Sequence, residues 1–259
     1  MPIVTFSSLG RYGRLCNGAY QICSTIGIAR RNGYDFGFPL WRNYDGLNFE
    51  SNIDIDIHEH FLNPLPLYEG PSLPDRFVHW GYHAITLTES CSLSGHMQSS
   101  RYFEHCMDEI RFYMRMVNEP PMNDYAAIHV RRTDYMEGDE SYHPRLDLRY
   151  YEPALAHFGS DQQFLVFSDD IPGAKELFRP LEGKHRIEYS QEPDYIADFR
   201  RLKTCAHFVI ANSSFSSMAA ILGDNPSKQI IAPMPWFGPI AGINAEDLYE
   251  PSWTVLNWA

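Results

Sequence analysis

Residues 126–135 read AAIHVRRTDY, a strand-like apolar run that passes without a spacer into two arginines, a threonine and an aspartate. The polar end of such a run marks the carboxyl terminus of a strand, which is where open α/β sheets collect their ligands. The stretch beyond it repeats the same rhythm. Strand-like segments at Tyr125–Val130, Gln163–Phe167, Arg186–Tyr189, Phe208–Ala211 and Gln229–Ala232 alternate with helix-like ones at Tyr150–Phe158, Ala174–Phe178, Tyr195–Cys205 and Phe215–Leu222. This alternation predicts a mainly parallel, doubly wound sheet. Three polar clusters stand at strand ends: Arg131-Arg132-Thr133-Asp134, Ser168-Asp169-Asp170 and Asn212-Ser213-Ser214.

Upstream the texture is different. A short apolar strand at Ile3–Phe6 leads through a Ser-, Gly- and Arg-rich loop into a helix over Asn17–Asn32, with Ile22, Ile26 and Ala29 as its core stripe. Residues 39–95 are loop-heavy, rich in proline and aromatics, with a brief strand at Arg76–Trp80. Phe103, Met107, Ile110, Met114 and Val117 step along one helical face, and Glu119-Pro120-Pro121 ends that helix. The expected organisation is an N-terminal domain over residues 1–121 and a C-terminal domain over 122–259.

Composition narrows the function. The 259 residues carry 21 Lys+Arg against 33 Asp+Glu, a net charge of -12, which argues against a surface that coats nucleic acid or anionic membrane. Any cationic site must be local. Five cysteines without C-x-x-C spacing read as reduced thiols rather than a disulfide scaffold. No signal peptide or apolar run of about 18 residues stands in the sequence, so the expectation is a cytoplasmic chain of bacterial or viral type without a membrane span.

The strand-end clusters suit an anion. An arginine fork matches phosphate oxygens in geometry and charge, and Asn-Ser-Ser ahead of a helix offers hydroxyls and free N–H groups at a helix N-terminus. Two unit charges about 4 Å apart attract by roughly 4 kcal/mol at an effective dielectric near 20, so one or two arginines suffice for a diphosphate. The competing reading is that Arg131 and Arg132 pair with some of the many carboxylates, and that Asn212 and Ser213 cap a helix.

Four stretches in order, GRLCNGAYQICSTIGIA (13–29), GHMQSSRYF (95–103), HVRRTDY (129–135) and CAHFVIANSSFSSMAAIL (205–222), resemble the α-1,2-fucosyltransferases of glycosyltransferase family 11. More distantly they resemble the wider group of α-1,6- and protein O-fucosyltransferases. FSDDI (167–171), IIAPMPWF (230–237) and EPSW (250–253) are weaker echoes. The sequence departs from the family where Cys16 replaces a glycine, Gly18 a glutamine, Thr133 a glycine, and Ser217-Met218 a tryptophan pair.

The resemblance implies a GT-B-like fold, two Rossmann-like domains with a donor cleft between them. It implies inverting transfer of L-fucose from GDP-fucose to a glycan hydroxyl, such as the 2-OH of a galactose, with no metal and no cofactor. By motif position, Arg131 would hold the β-phosphate and Arg132 would support the loop or contact the donor. His129 and Asp198 would meet the guanine, while Ser214, Phe215 and Ser216 would line the diphosphate beside Asn212 and Ser213. Arg14, Gln21 and Asp134 join the substrate-binding set, and Asn17 would reach across the cleft. Asp198 has its own rationale, since a carboxylate accepts two hydrogen bonds from guanine's N1-H and 2-amino group. The competing role is a solvent-facing residue on its helix.

Inverting transfer needs a base for the acceptor hydroxyl. In the α-1,6 relatives a glutamate eight residues after the first arginine fills that role, a spacing that lands on Asp139, with Glu140 and Glu137 as alternatives. His58-Glu59-His60 places two histidines on one strand face without a third ligand, and is read as structural. Rival readings keep the fold: fucosylation of another linkage or acceptor, protein included, or a non-catalytic relative that binds nucleotide or glycan.

Overall fold

The computed structural model describes residues 1–11, 13–44 and 54–258. Residues 45–53 of the expected loop-heavy stretch lie outside the described residues. The chain divides into unit 1, Met1–Asn118 with Glu246–Leu248, and unit 2, Glu119–Ala245 with Tyr249–Ala259. Among the described residues, no helix is long and apolar enough to cross a membrane.

Unit 1 contains β1 (Ile3–Thr5), α1 (Leu15–Asn32), β2 (Asp35–Phe36), the antiparallel pair β3 (Arg42–Tyr44) and β4 (Asp54–Asp56), β5 (Asp75–Phe77), β6 (Cys91–Ser94) and α2 (Met107–Tyr113). A parallel sheet runs in the order β2-β1-β6-β5. From Leu15 to Ala29 every residue of α1 except Asn17 is buried, so this helix is core on all sides rather than a one-faced surface helix. Gly27 permits that: a Cβ there would stand 2.1 Å from the Tyr102 carbonyl oxygen.

Three expectations for unit 1 change. The helix expected through Val117 is broken into 3-10 turns at Ser100–Tyr102 and Glu104–Cys106 before α2, because Cys106 leaves helical geometry at φ -130°. Phe103, Ile110 and Met114 nevertheless reach the core. β2 and β6 are unforeseen, being two and four residues long, and Cys-Ser-Leu-Ser lacks a strand's apolar alternation. His58-Glu59-His60 lies in a 3-10 turn, not a strand, and His58 Nε2 accepts the Trp41 N–H at 2.5 Å.

Unit 2 runs β7 (Asn123–Val130), α3 (Thr133–Glu137), α4 (Leu148–Leu155), β8 (Gln163–Ser168), α5 (Ile171–Phe178), β9 (Arg186–Tyr189), α6 (Tyr195–Leu202), β10 (Cys205–Val209), α7 (Ser214–Leu222), β11 (Ile230–Met234) and β12 (Thr254–Asn257). All six strands are parallel, in the order β12-β11-β10-β7-β8-β9. Ala126, Ile128 and Val130 alternate onto one face of β7, packed with Tyr150, Tyr151, Phe164 and Phe178. Each such aromatic contributes roughly 1.5–3 kcal/mol on full burial. Tyr150 donates its hydroxyl between the Ile210 and Ile231 carbonyls at 2.7 and 2.9 Å, tying α4 to the end of β10 and to β11. Side chains of Asp147, Asp170, Asp194 and Ser213 cap α4, α5, α6 and α7, which fixes where each helix begins.

The chain leaves β7 for β8 and β9 on one side, then crosses back through α6 to β10 and β11 on the other. Neighbouring β7 and β10 therefore send their connections apart, and their carboxyl ends form the topological switch point of the sheet.

Candidate functional site

Arg131 leaves the carboxyl end of β7 and is clamped by two carboxylates. Its Nη2 pairs with Asp134 Oδ1 and its Nη1 with Asp169 Oδ2, both at 2.6 Å. Arg132 Nε pairs with Asp170 Oδ2 at 2.9 Å, and its backbone N–H donates to Asp169 Oδ1 at 2.9 Å. Thr133 Oγ1 donates to Asp169 Oδ2 at 2.5 Å. The carboxylate-pairing reading of the arginines is therefore realised. Asp169 and Asp170, which the sequence places in a strand-end cluster, organise the whole turn. The ion pairs engage two of the five N–H donors of Arg131 and leave its plane fixed.

Beside it stands the start of α7. Ser213, Ser214 and Phe215 are half-buried, whereas Asn212 and Ser216 are buried at 2% and 1% exposure. Ser216 Oγ is held by His129 Nδ1 at 3.0 Å and accepts the Ala211 N–H at 3.2 Å. The Asn212 amide donates to the Pro144 and Trp236 carbonyls at 3.0 and 3.1 Å. Both side chains thus make contacts inside the protein, and Asn212 Oδ1 has no hydrogen-bond partner among the described residues. Ser213 Oγ caps α7, accepting the Phe215 N–H at 3.4 Å. The groups left to receive an anion at this helix start are Ser214 and the first-turn amides other than that of Phe215.

His129 is also internal, at 4% exposure with its ring 5.2 Å from Phe215. Burial, outweighing the pull of Asp169 and joined by the push of Arg131, lowers its pKa to about 4, so the ring is neutral. It braces α7 from beneath instead of meeting a base. Phe199 of α6 packs on Phe215 at 5.5 Å, which brings the first turn of α6 alongside.

That helix carries Asp198, which lies against Ser190 just past the end of β9. Ser190 Oγ donates to its Oδ1 at 2.6 Å. Burial raises the carboxyl to about 6; Glu192 and Asp194 push the same way, while the Ser190 bond and Arg201 oppose. This carboxyl binds its proton more tightly folded than unfolded, so its ionisation costs stability once pH rises above the unfolded value of about 3.9 toward 6. If ionised Asp198 receives the guanine N–H groups, GDP affinity measured by calorimetry falls about tenfold from pH 7 to pH 5. Asp198→Asn flattens that dependence without lowering folding stability above pH 6.

Asp139 has the opposite shift. Its Oδ1 accepts from Ser141 Oγ at 2.6 Å and from Ser141 N at 2.8 Å, and these bonds hold it below the usual carboxylate range. It caps a turn, and bonds that favour its ionised form make it a weaker base than an ordinary carboxylate. Glu137 and Glu140 remain as exposed carboxylates on the same loop.

In unit 1, Asn17 Oδ1 accepts from Gln98 Nε2 at 2.7 Å. Arg14 is exposed at the cap position of α1. Gln21 is 1% exposed, and among the described residues its amide makes a long 3.5 Å bond to the Gly95 carbonyl. No thiol stands ready as a nucleophile: burial raises Cys16, Cys23, Cys91 and Cys106, and pushes Cys205 up to about 12. Among the described residues no group of three or more His, Cys, Asp or Glu could hold a metal ion.

The sequence pattern of Glycosyl transferase family 11 matches residues 72–257, most of the chain and nearly all of unit 2. The chain belongs to glycosyltransferase family 11. It is 28% identical over 154 residues to the O-antigen biosynthesis glycosyltransferase WbnK of Escherichia coli, covering 58% of this chain and 49% of that protein. It is likewise 28% identical over 167 residues to an alpha-1,2-colitosyltransferase of Escherichia coli, covering 57% of each. The chain thus spans about half the length of these curated relatives. Among solved structures it resembles POFUT1 in complex with GDP, with TM-score 0.56 and 11% identity over 89% of this chain and 98% of that one. Fucosyltransferase NodZ from Bradyrhizobium gives 0.53 and 12%, over 87% and 96%. At such identity the likeness speaks to the fold, which is α/β and GT-B-like.

Proposed function

We propose that this family 11 protein transfers L-fucose from GDP-fucose to a sugar hydroxyl, such as the 2-OH of a galactose, with inversion and without a required metal. The observation that carries the reading is the grouping at the carboxyl edge of the six-stranded sheet. There the clamped Arg131 follows β7, the start of α7 follows β10, and half-buried Asp198 of α6 is held by Ser190 just past β9. A diphosphate fits the first two, and a guanine edge fits the third. Only Asp198 Oδ1 is bonded by Ser190, which leaves the second oxygen for an N–H group. Two of the structures sharing the fold hold POFUT1 with GDP-fucose and NodZ soaked with it.

The chemistry follows from charge. As the acceptor hydroxyl attacks opposite the leaving GDP, the sugar becomes oxocarbenium-like and negative charge grows on the diphosphate. Arg131 and the helix start oppose that charge without reorganising. The acceptor proton goes to Glu137 or Glu140, since Asp139 is spent in its turn. Incubation with GDP-fucose and a panel of β-galactosides, with and without chelator, tests the reading. GDP release that requires an acceptor and ignores the chelator is expected, while binding without turnover on any acceptor would sink it. A second reading changes only the sugar, because one relative is a colitosyltransferase. Faster turnover of another GDP-sugar in the same assay would favour it.

A further inference from the structure

We propose that the paired loops 139–144 and 236–240 of unit 2 form a shelf for the acceptor sugar, with Tyr142 and Phe237 as its stacking rings. The proposal rests on the transferase reading for its purpose, but its geometry stands separately. The two loops make one rigid body. Gly238 N–H donates to the Tyr142 carbonyl at 2.9 Å, and Ile240 N–H to the Ser141 carbonyl at 3.3 Å. The buried Asn212 amide pins both loops from below through Pro144 and Trp236. The approach is so close that a Cβ on Gly238 would stand 2.0 Å from the Ser141 oxygen.

On this base the rings of Tyr142 and Phe237 lie 6.2 Å apart at 65°, an open angle, with Tyr142 37% exposed. The Tyr142 hydroxyl has no partner among the described residues, and the His143 ring between the two is uncharged, because burial, joined by Arg131, keeps it below its usual pKa despite the pull of Asp134. A pyranose has an apolar C–H face edged by hydroxyls, and two aromatic faces bordered by one free hydroxyl suit it better than they suit a charged ligand.

Position strengthens the case. His143 packs against both rings, 4.7 Å from Tyr142 and 5.9 Å from Phe237, and stacks flat on Tyr135 at 4.5 Å and 13°. Tyr135 in turn lies 5.8 Å beneath the Arg131 guanidinium. The shelf therefore begins one ring away from the group that holds the leaving diphosphate, and the loop that carries it also bears Glu140, with Glu137 at the end of α3 just before it.

The test is saturation-transfer NMR of β-galactoside oligosaccharides with GDP present, alongside steady-state kinetics. Tyr142→Ala and Phe237→Ala are each expected to raise acceptor KM at least tenfold. GDP affinity stays within twofold, which also certifies that the variants fold, and kcat stays within about threefold. Tyr142→Phe keeps the ring and should retain most of the affinity. Arg131→Ala should still show glycan contact in the NMR experiment. Glycan contact indifferent to both rings, no glycan contact in the wild type, or a parallel loss of GDP affinity would overturn the shelf. Ring-dependent glycan contact without fucose transfer would support the shelf and overturn only the donor reading.

Discussion

Replacing Arg131 by alanine is expected to lower kcat/KM at least about a thousandfold, roughly 4 kcal/mol of transition-state stabilisation, and to weaken GDP binding at least about tenfold. Two losses add. The diphosphate loses its fork, and Asp134 and Asp169, each now 2.6 Å from a guanidinium nitrogen, face the incoming anion uncompensated. Like charges at that range oppose binding more strongly than the absence of a cation alone would. Arg131→Lys keeps the charge but not the two-pronged alignment, and should recover only part of the rate. Steady-state kinetics with the sugar nucleotide and GDP calorimetry measure both effects. Turnover within threefold of wild type would contradict the assignment.

The second large effect is expected at Asp169. Its carboxylate holds Arg131 Nη1 and Thr133 Oγ1 through one oxygen and the Arg132 backbone N–H through the other. Asp169→Ala should lower kcat/KM about a hundredfold, near 2.7 kcal/mol, while GDP affinity falls only severalfold. The split arises because Arg131 keeps its charge and its Asp134 partner but loses its aim. Asp169→Asn preserves shape and one acceptor, so it should lie between. A variant whose GDP affinity collapses as far as that of Arg131→Ala would make Asp169 part of the binding charge rather than its aligner.

Much of unit 2 was readable because β7, β8, β10 and β11 contain apolar runs and β9, Arg-Ile-Glu-Tyr, alternates, all separated by helical spacing. β12 was missed, since Thr-Val-Leu-Asn is a four-residue strand framed by tryptophans and offers no periodicity. Unit 1 was less readable for a similar reason: its strands are two to four residues long and its sheet depends on the burial of α1 from all sides.

At the site, motif order located Arg131, Asp198 and the start of α7, but residue type could not tell which side chains face outward. Asn212, Ser216, His129 and Gln21 have the chemistry of ligands and are spent inside the protein. Only the packing of α7 on β7, and of α1 in its core, decides that. The turn at Asp139 was locally legible, because an Asp followed two residues later by Ser is an Asx-turn pattern that competes with any catalytic role. The shelf was not legible, since Tyr142 and Phe237 are far apart in sequence and meet only through Asn212 and Gly238.

The central claim is that the donor nucleotide binds at the carboxyl edge of the six-stranded sheet. A crystal structure of the protein with GDP tests it most directly. The expected result places the diphosphate against Arg131 and the first-turn amides of α7, with the guanine edge on the free oxygen of Asp198. A GDP bound elsewhere, with Arg131 still held only by Asp134 and Asp169, would contradict it.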